Sequence, residues 1–425
     1  MQININMNGL RKSFPSLTHR NYKLFISGQL VSTLGSWMQN IAQPWLVLTL
    51  TDSPFLLGLV AAFQTLPVMF LSFLAGSLID RYPKKIILIV TQTGLAVTAL
   101  AMGLLTKFSL INYPQIVVLA LVFGVLNTID MPARQSYVME LVGKEDLMNA
   151  IALNSSVFNL SRIVGPAIAG ILINRVGIAI CFIINALSYV PLVIQLIRID
   201  TPTRIHRKAE KKEKILQNMT EGIRYVLGNE KMRVLFSIFF IISLFLINFG
   251  LLNPVLAKMD LHSDASGLSL LMTSMGIGAL IGALLVILMQ WKNPSVKQIF
   301  LICLFFSISQ VVLSFSGKII VSSIIMSIVA FFMVLFSTLL NTSLQFESDD
   351  THRGRVMAVY SFVFVGIAPI GSIYAGSLSN WIGARGTYLV SGLIGIMGTL
   401  LVSILFYQYQ KKRSESRQAS EIESA

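Results

Sequence analysis

The chain has 425 residues, of which 54% are hydrophobic and 12% charged, and its formal net charge is +14. A soluble enzyme carries about 25% charged residues, so this composition excludes an ordinary soluble globular protein. Cys181 and Cys303 have no CxxC neighbour and the four histidines are scattered. We therefore predict no metal site, no disulfide and no cofactor.

Apolar stretches of about 20 residues recur along the chain, each long enough to cross ~30 Å of hydrocarbon. They predict twelve membrane spans, numbered 1 to 12 below, at 22–48, 55–79, 86–106, 113–133, 147–174, 178–198, 232–257, 265–290, 297–316, 319–343, 356–380 and 385–408. We expect the first stretch to be retained as a span, because it lacks the short apolar region and cleavage site of a signal peptide.

The two halves of the chain are related by an internal repeat. Shifting 358–383 by 206 positions gives nine identities in 26 residues with 152–177. The sequence therefore predicts an all-α membrane protein with twelve transmembrane helices in two six-helix pseudo-repeats. We place an N-terminal six-helix bundle at 1–198, a cytoplasmic linker at 199–231, a C-terminal bundle at 232–410 and a disordered tail at 411–425.

Basic residues lie mainly on one side of the predicted topology. Of the 33 Lys and Arg residues, 27 lie on the side of the termini and five on the opposite side, with Arg162 inside a span. This bias predicts that both termini are cytoplasmic in a multi-pass protein of the cell inner membrane. The positive charge then contacts anionic lipid headgroups, and no nucleic-acid partner is expected.

Span 1 carries an unusual number of polar residues for a helix that faces lipid. Gln29, Ser32, Ser36, Asn40 and Gln43 recur at a spacing of three or four residues. That spacing places them on one helix face, which we expect to line a wet cavity. The neighbouring Trp37 is a candidate for stacking on a flat substrate.

The loop between spans 2 and 3 contains a charged motif. Gly76 is followed by Asp80 and Arg81, and two lysines, Lys84 and Lys85, come after two further residues. An acid at this depth can pair with a basic group or with the N-terminal end of a nearby helix, and can hold one conformation shut. The alternative is an ordinary charged turn.

The pattern Gly-x-Leu-x-Asp-Arg-x-x-Lys-Lys in this position resembles the signature loop of the major facilitator superfamily. The twelve spans, the division into six and six, the long central loop and the repeat agree with that resemblance. It implies that Asp80 and Arg81 form a cytoplasmic gate contact. The second half keeps a glycine near position 282 without an Asp-Arg pair, so we expect the gate to be asymmetric.

The segment from Asp130 through Pro132 to Arg134, leading into span 5, is similar to the branch of the superfamily that contains enterobactin exporters and macrolide efflux proteins. Asp130 is our candidate for proton coupling, because burial at the edge of a cavity would favour its protonated form. The alternative is a salt bridge with Arg134, four residues on. From the predicted bounds, Asp130 lies near the cytoplasmic end of span 4.

Arg162 lies about 15 residues into span 5, where a charge costs ~3 kcal/mol or more. We find no acid at the same predicted depth. Either the arginine hydrogen-bonds to local polar groups and holds the helix, or it lines the cavity and attracts anionic or oxygen-rich cargo.

Span 5 also carries the small residues Gly165 and Gly170 around Pro166, which should kink the helix. They resemble the Gly-Pro motif of exporters in the superfamily, and they provide either simple close packing or a special role in export. Gly278 and Gly282 of span 8 offer a partner face. The superfamily fold places spans 1, 4, 7 and 10 around the cavity, which adds candidate substrate contacts at Asn127, Asn248 and Asn341. A helix–helix hydrogen bond is the alternative for each asparagine.

We therefore predict a monomeric secondary active exporter rather than an enzyme. It moves a small organic molecule out of the cytoplasm by alternating access, with protons as the coupling ion. A drug or macrolide-type compound is the first candidate cargo and a siderophore the second. A membrane sensor or scaffold that does not transport is a further alternative. No GxxxxGK[ST] loop occurs, which argues against direct ATP drive.

Overall fold

The computed structural model describes residues 14–200, 212–289 and 294–423, and every regular element in these ranges is helical. The six helices of the first half are Arg20–Thr51, Pro54–Arg81, Lys84–Lys107, Tyr113–Val142, Leu147–Val176 and Ala179–Arg198. The second half contains the helical segments Glu230–Asp260, Ala265–Met289, Val296–Ser314, Ile319–Glu347 and Arg353–Lys411.

Ten segments of the described chain are long and apolar enough to cross a membrane. Span 1, Arg20–Thr51, is not among the ten, because its polar side chains dilute its apolar character. The segment Arg353–Lys411 counts once, although Gly383, with φ of 72°, divides it into spans 11 and 12. Within the described residues the membrane-length helical segments therefore number twelve, as the hydropathy pattern predicts.

Several helix starts are encoded locally by capping residues. Asn112 and Gln115 form a capping box at the start of span 4, and Ser295 and Gln298 form another at span 9. Each pair satisfies amide groups that have no partner within the helix. Gly177 ends span 5 with φ of 103°, a left-handed conformation that favours glycine.

The two halves contact each other at the end of the molecule away from the chain termini, called the far face below. Gly58 of span 2 and Gly376 of span 11 are so close that a Cβ on Gly58 would lie 3.0 Å from the Cα of Gly376. Gly170 of span 5 similarly approaches Ser269 of span 8. A single apolar core is continuous across both halves there.

At the opposite end, called the termini face, the described ion pairs stay within one half. Lys84 pairs with Glu140 in the first half, and Lys231 pairs with Glu347 in the second. A separate apolar core fills this end of the first bundle. The molecule is thus closed at the far face, and these ion pairs do not tie its halves together at the termini face.

The repeat is visible in contacts as well as in sequence. His19 Nε2 lies 2.7 Å from Asp146 Oδ2. The positions 206 residues later, Tyr225 and His352, stack with ring centroids 4.2 Å apart. In each half, the segment that precedes the first span therefore contacts the loop between the fourth and fifth spans.

The linker contains a helix, Lys212–Gly228. It docks on the second half, where Glu221 pairs with Arg355 at 2.9 Å and Tyr225 donates a hydrogen bond to Asp349 at 2.9 Å. Residues 201–211, which hold much of the basic run, lie outside the described residues. At the other end of the second half, the last helix continues to Glu423, whereas the sequence predicts a disordered tail from 411.

Irregular backbone in the described spans occurs in the second half. Spans 7 and 11 contain the π-helical segments Ile242–Leu246, Leu256–Asp260 and Phe362–Gly366. Gln310 of span 9 donates to the backbone oxygen of Leu246 at 3.0 Å, beside a break in span 7. Such π-bulges are frequent at functional sites.

Candidate substrate site and gates

Asp130 is buried inside the first bundle and is fully hydrogen-bonded. Its Oδ2 accepts from Arg134 Nη2 at 2.5 Å, and its Oδ1 accepts from Thr91 at 2.7 Å and Gln92 at 2.6 Å. The Asp130 side chain is 1% exposed and the Arg134 side chain 19%. The salt-bridge alternative that the spacing offered is thus present in this conformation, and three side chains donate to the Asp130 carboxylate.

The Asp130 site belongs to a wider polar network that the sequence did not reveal. Gln92 accepts a hydrogen bond from Ser32 at 3.4 Å. One turn further along span 1, Ser36 contacts the hydroxyl of the buried Tyr189 at 3.1 Å, and Gln39 accepts from Asn185 at 2.6 Å. The sequence feature that could have indicated this network is the presence of polar residues, such as Gln92 and Asn185, within the apolar spans 3 and 6.

Arg162 has no hydrogen bond or ion pair within the described part of the chain, and its Nε atom is buried without a partner. The side chain is half-buried. The arrangement therefore lacks the local hydrogen bonds that one interpretation of the sequence expected.

The depth of Asp130 differs from the prediction, because span 4, Tyr113–Val142, continues to Val142 rather than ending near 133. Through Gln92, Asp130 connects to Ser32 of span 1. Gly165, one turn beyond Arg162, packs against Trp37, also of span 1. Asp130 and Arg162 are therefore at similar depth. At 3.6 residues per turn, positions 32 and 37 lie on largely opposite sides of span 1, which separates the two groups.

An aromatic pair lies beside Arg162. The rings of Trp37 and Phe158 meet edge to face with centroids 5.4 Å apart. Phe158 precedes Arg162 by four residues, so both share one face of span 5. Gly165 is required for this packing, since a Cβ there would lie 2.6 Å from the Cβ of Trp37.

Pro166 and Gly170 pack span 5 against span 8. The hydroxyl of Ser269 donates to the backbone oxygen of Pro166, and a Cβ on Gly170 would collide with Ser269. The partner face on span 8 is not the predicted one. Gly278 and Gly282 contact span 10, at Ser327 and Phe331, whereas Gly276 faces Ile163 of span 5. Sequence spacing identified close packing but not which helix each glycine would meet.

The predicted wet face of span 1 divides in two. Gln29, Ser32 and Gln43 are buried, and Gln43 donates to Gln64 of span 2 at 3.1 Å. Ser36 is half-buried against Tyr189, while Asn40 is exposed. Part of this face thus serves contacts between helices.

The remaining asparagine candidates also differ in environment. Asn127 is exposed. Asn248 is buried beside the break in span 7 and donates to the backbone oxygen of Leu244 at 2.9 Å. Asn341 is half-buried and accepts from Gln345. Asn40 and Asn127 therefore present accessible amides, whereas the other two have protein partners.

Asp80 and Arg81 are exposed and, within the described residues, make no hydrogen bond or ion pair. The lysines of the same loop make the contacts instead: Lys84 pairs with Glu140, and Lys85 donates to the backbone oxygen of Ile199 at 2.7 Å. A Cβ on Gly76 would meet nothing within 4 Å. Gly76 therefore makes no close helix approach in this conformation.

Polar contacts close the far face at three places. Lys258 Nζ lies 2.6 Å from Asp52 Oδ1, and these two positions are themselves 206 residues apart. Asn174 donates to Asp264 at 2.8 Å, and Ser53 donates to Asn380 at 3.4 Å.

The last two contacts are equivalent under the repeat. Asn174 and Asn380 occupy matching positions, and each contacts the residue that caps the start of a span in the other half. Asp264 is the charged member of this set. Its pKa is lowered, first because the Ser266 hydroxyl donates to it, and further by the amide of Gly267 and by Asn174.

In the described residues, no group of three or more His, Cys, Asp or Glu is placed to hold a metal ion. Cys181 and Cys303 are buried free thiols. The arrangement is thus one of membrane-length helices, internal ion pairs and a far-face closure, which defines a polytopic helical protein.

The chain matches the family model described as transmembrane secretion effector over residues 12–423. It is 25% identical over 402 residues to the staphyloferrin A transporter of Staphylococcus aureus, covering 92% of this chain and 96% of that protein. It is 24% identical to the multidrug efflux pump Tap of Mycolicibacterium fortuitum, with 89% and 95% covered, and 22% identical to macrolide efflux protein A of Streptococcus pyogenes, with 88% and 94% covered.

Solved structures show the same fold. The nucleoside transporter NupG superposes with a TM-score of 0.73 at 12% identity, covering 91% of this chain and 99% of that one. A bacterial homologue of the human lysosomal transporter Spinster, in an inward-facing and unoccupied conformation, gives 0.73 at 11% identity, covering 93% and 98%.

The chain belongs to the transmembrane secretion effector family of the major facilitator superfamily. The predicted superfamily and the all-helical membrane fold are confirmed. The protein is a multi-pass transporter of the efflux type for small molecules, and not an enzyme.

Proposed function

We propose that this protein is a secondary active exporter that moves a small organic molecule out of the cytoplasm in exchange for protons. The bundles at 1–198 and 232–410 rock about a central site, and both termini lie on the cytoplasmic side of the cell inner membrane. The bias of Lys and Arg toward the termini face supports this orientation.

The position of the contacts between the halves carries the proposal. Asp52–Lys258, Asn174–Asp264 and Ser53–Asn380 close the far face, whereas the described ion pairs at the termini face stay within one half. With the termini in the cytoplasm, this is an inward-open state ready to take up cargo. Export then requires these far-face contacts to break.

Proton coupling is assigned to the Asp130–Arg134 pair. In the inward-open state, Arg134, Thr91 and Gln92 all donate to the carboxylate. Protonation of Asp130 removes the charge that holds Arg134 and frees the guanidinium to move. Asp80 and Arg81, which are exposed and without a partner in the described chain, are available to form a cytoplasmic gate in the outward-open state.

Two cargo classes follow from the relatives. Multidrug and macrolide efflux proteins favour a drug-like compound, for which the pair Trp37–Phe158 and the amides of Asn40 and Asn127 provide apolar and polar contacts. Arg162, which has no partner among the described residues, and the staphyloferrin A transporter favour a siderophore as the second candidate.

Inverted inner-membrane vesicles that contain the full chain test the proposal directly. A mixed panel of macrolides, dyes and siderophores is offered with and without a proton gradient. We expect at least one compound to accumulate only when the gradient is present, and an uncoupler to abolish this uptake. Uptake equal to that of vesicles without the protein for the whole panel would favour the sensor or scaffold alternative. Gradient-independent uptake would contradict proton coupling.

A further inference from the structure

We propose that Arg162 is an anion-binding subsite for a small organic carboxylate whose flat apolar part packs on Phe158 and Trp37. The biological role of this subsite rests on the proposed export function. Its chemistry rests on separate observations about charge, packing and position.

The first observation is an uncompensated charge. Within the described spans, Asp130 is the acidic residue that lies away from a span end. It is already paired with Arg134. Arg162 lies at similar depth on the other side of span 1 and has no hydrogen-bond partner in the described chain. A guanidinium in this environment requires an anion or water, because its desolvation is costly.

The second observation is the surface beside the charge. Phe158 is 50% exposed although it contacts Trp37 edge to face. It lies one helical turn from Arg162, toward the termini face. An aromatic ring one turn from a fork of N–H donors fits a ligand that carries a carboxylate on a flat ring.

The third observation is a route to the site. The packing of span 5 on span 8 runs from Gly170 against Ser269 to Ile163 against Gly276. Arg162 lies at the same level as Gly276, whose added Cβ would be 3.3 Å from the backbone oxygen of Arg162, and Phe158 lies one turn nearer the termini face. A ligand that enters between the halves from that face therefore reaches the level of Phe158 before that of Arg162, and the packing from Ile163 to Gly170 lies beyond it toward the far face.

Binding of a matched pair of probes to the purified full-length protein tests the subsite. 2-Naphthoate and 2-naphthamide share one ring system and differ in the carboxylate. Their apparent affinities are obtained from the rise in melting temperature with ligand concentration. We expect naphthoate to bind on the order of 10- to 100-fold more tightly than naphthamide, as a charged hydrogen bond implies.

Variants then assign this preference to one residue. Arg162→Gln should bind both probes alike, and Arg162→Lys should keep part of the preference. Arg175→Gln is the matched control, because Arg175 lies on the same helix but is exposed at the far face. Phe158→Leu should weaken both probes by a similar factor and leave their ratio unchanged.

Three outcomes would overturn the inference. They are equal binding of both probes to the unaltered protein, a preference that survives Arg162→Gln, and chloride or sulfate reproducing the Arg162-dependent stabilisation as well as naphthoate. The last would identify an inorganic anion site. If naphthoate binds as expected but no panel compound shows gradient-driven uptake, the proposed export function fails while the subsite stands.

Discussion

At the scale of single residues, Asp130 shows how a membrane protein holds a charge inside its helices. The carboxylate is 1% exposed and accepts hydrogen bonds from three side chains on two spans. Breaking a buried pair by removing one partner is much more costly than weakening an exposed one, because the remaining charge is left in a medium of low dielectric constant.

This difference predicts an order of stability among variants. Asp130→Asn should lower the melting temperature in detergent most, since it leaves Arg134 unpaired at a cost on the order of 3–5 kcal/mol. Arg134→Gln should cost less, because Thr91 and Gln92 still donate to Asp130.

The double variant of Asp130 and Arg134 should be more stable than the sum of the two single effects implies. Glu140→Gln, whose side chain is 31% exposed where that of Asp130 is 1% exposed, is the control and should change stability by about 1 kcal/mol or less. Additive effects at Asp130 and Arg134 would argue against their coupling.

Asp264 predicts a pH dependence at the far face. Its hydrogen bonds lower its pKa, so its contribution to stability is present above the ordinary carboxyl pKa of about 4 and is lost as the pH falls through its lower folded-state value. Asp264→Ala should therefore cost about 1 kcal/mol of capping energy at neutral pH. The difference from the unaltered protein should stay constant from pH 5 to 8 and shrink below pH 4.

Melting temperatures of both proteins between pH 3 and 8 measure this difference. Ser53→Ala is the matched control, because Ser53 caps span 2 with a neutral side chain and takes part in the equivalent contact with Asn380. Its effect should not depend on pH. A difference at Asp264 that disappears near pH 6 would show that the carboxyl pKa is not lowered.

At the scale of helices, the closure of the far face combines glycine packing with hydrogen bonds between the end of one span and the start of another. Gly58 allows span 2 to approach span 11 to within backbone contact. Small residues at such crossings let the backbones touch, which stabilises helix pairs in a membrane. The two asparagine contacts then fix the ends of spans 5 and 11 to the opposite half.

A disulfide between these ends should stop transport if the far face opens during the cycle. The variant Ser53→Cys with Asn380→Cys joins two positions that are in hydrogen-bond contact, and the natural cysteines are buried. We expect oxidation to abolish uptake into inverted vesicles and a reducing agent to restore it. Each single cysteine variant serves as the control. Unchanged uptake after complete cross-linking would rule out opening at this place.

A bulky side chain at the crossing of spans 2 and 11 should prevent the far face from closing, whereas the disulfide should keep it closed. In Gly58→Leu the added side chain meets the backbone of Ser372 and Gly376, so the far face cannot close fully. Transport should fall at least tenfold, with a lower melting temperature. Gly250→Leu is the control, since a Cβ there meets nothing within 4 Å. Equal loss in both variants would point to a general effect of leucine on folding.

At the scale of the whole molecule, the two halves share a scaffold but differ in what they carry. The first half holds the buried ion pair and Arg162, which has no partner among the described residues, whereas the described π-helical segments belong to spans 7 and 11. Irregular turns interrupt the regular helical hydrogen bonds and are sites of local bending. The buried ion pair and the irregular turns of the described chain thus lie in different bundles.

The overall conformation predicts an accessibility difference between the two membrane faces. A cysteine at position 158 should react with a membrane-impermeant maleimide from the termini face and not from the far face, because the closed seam between spans 5 and 8 lies beyond it. Labelling in inverted and right-side-out vesicles measures this. The protein without the added cysteine is the control, since Cys181 and Cys303 are buried. Equal labelling from both sides would contradict a closed far face.

Much of the architecture was predictable from local sequence features. The number of spans follows from the length of each apolar run, and the capping residues at Asn112 and Ser295 mark helix starts within a few residues. The i,i+4 spacing also offered the pair of Asp130 and Arg134. The end of span 4 was not predictable in this way, because the helix continues beyond the apolar run, through a polar segment, and ends at Val142.

The sequence by itself determined an all-helical membrane protein with two related halves and a basic face, because length, hydropathy and charge are properties of each segment alone. The tertiary structure alone decided which helices the glycines of spans 5 and 8 contact, which side chains donate to Asp130, and that Arg162 has no partner in the described chain. Those outcomes depend on the rotation and tilt of each helix against its neighbours. A spacing of three or four residues defines a helix face but leaves open what that face will meet.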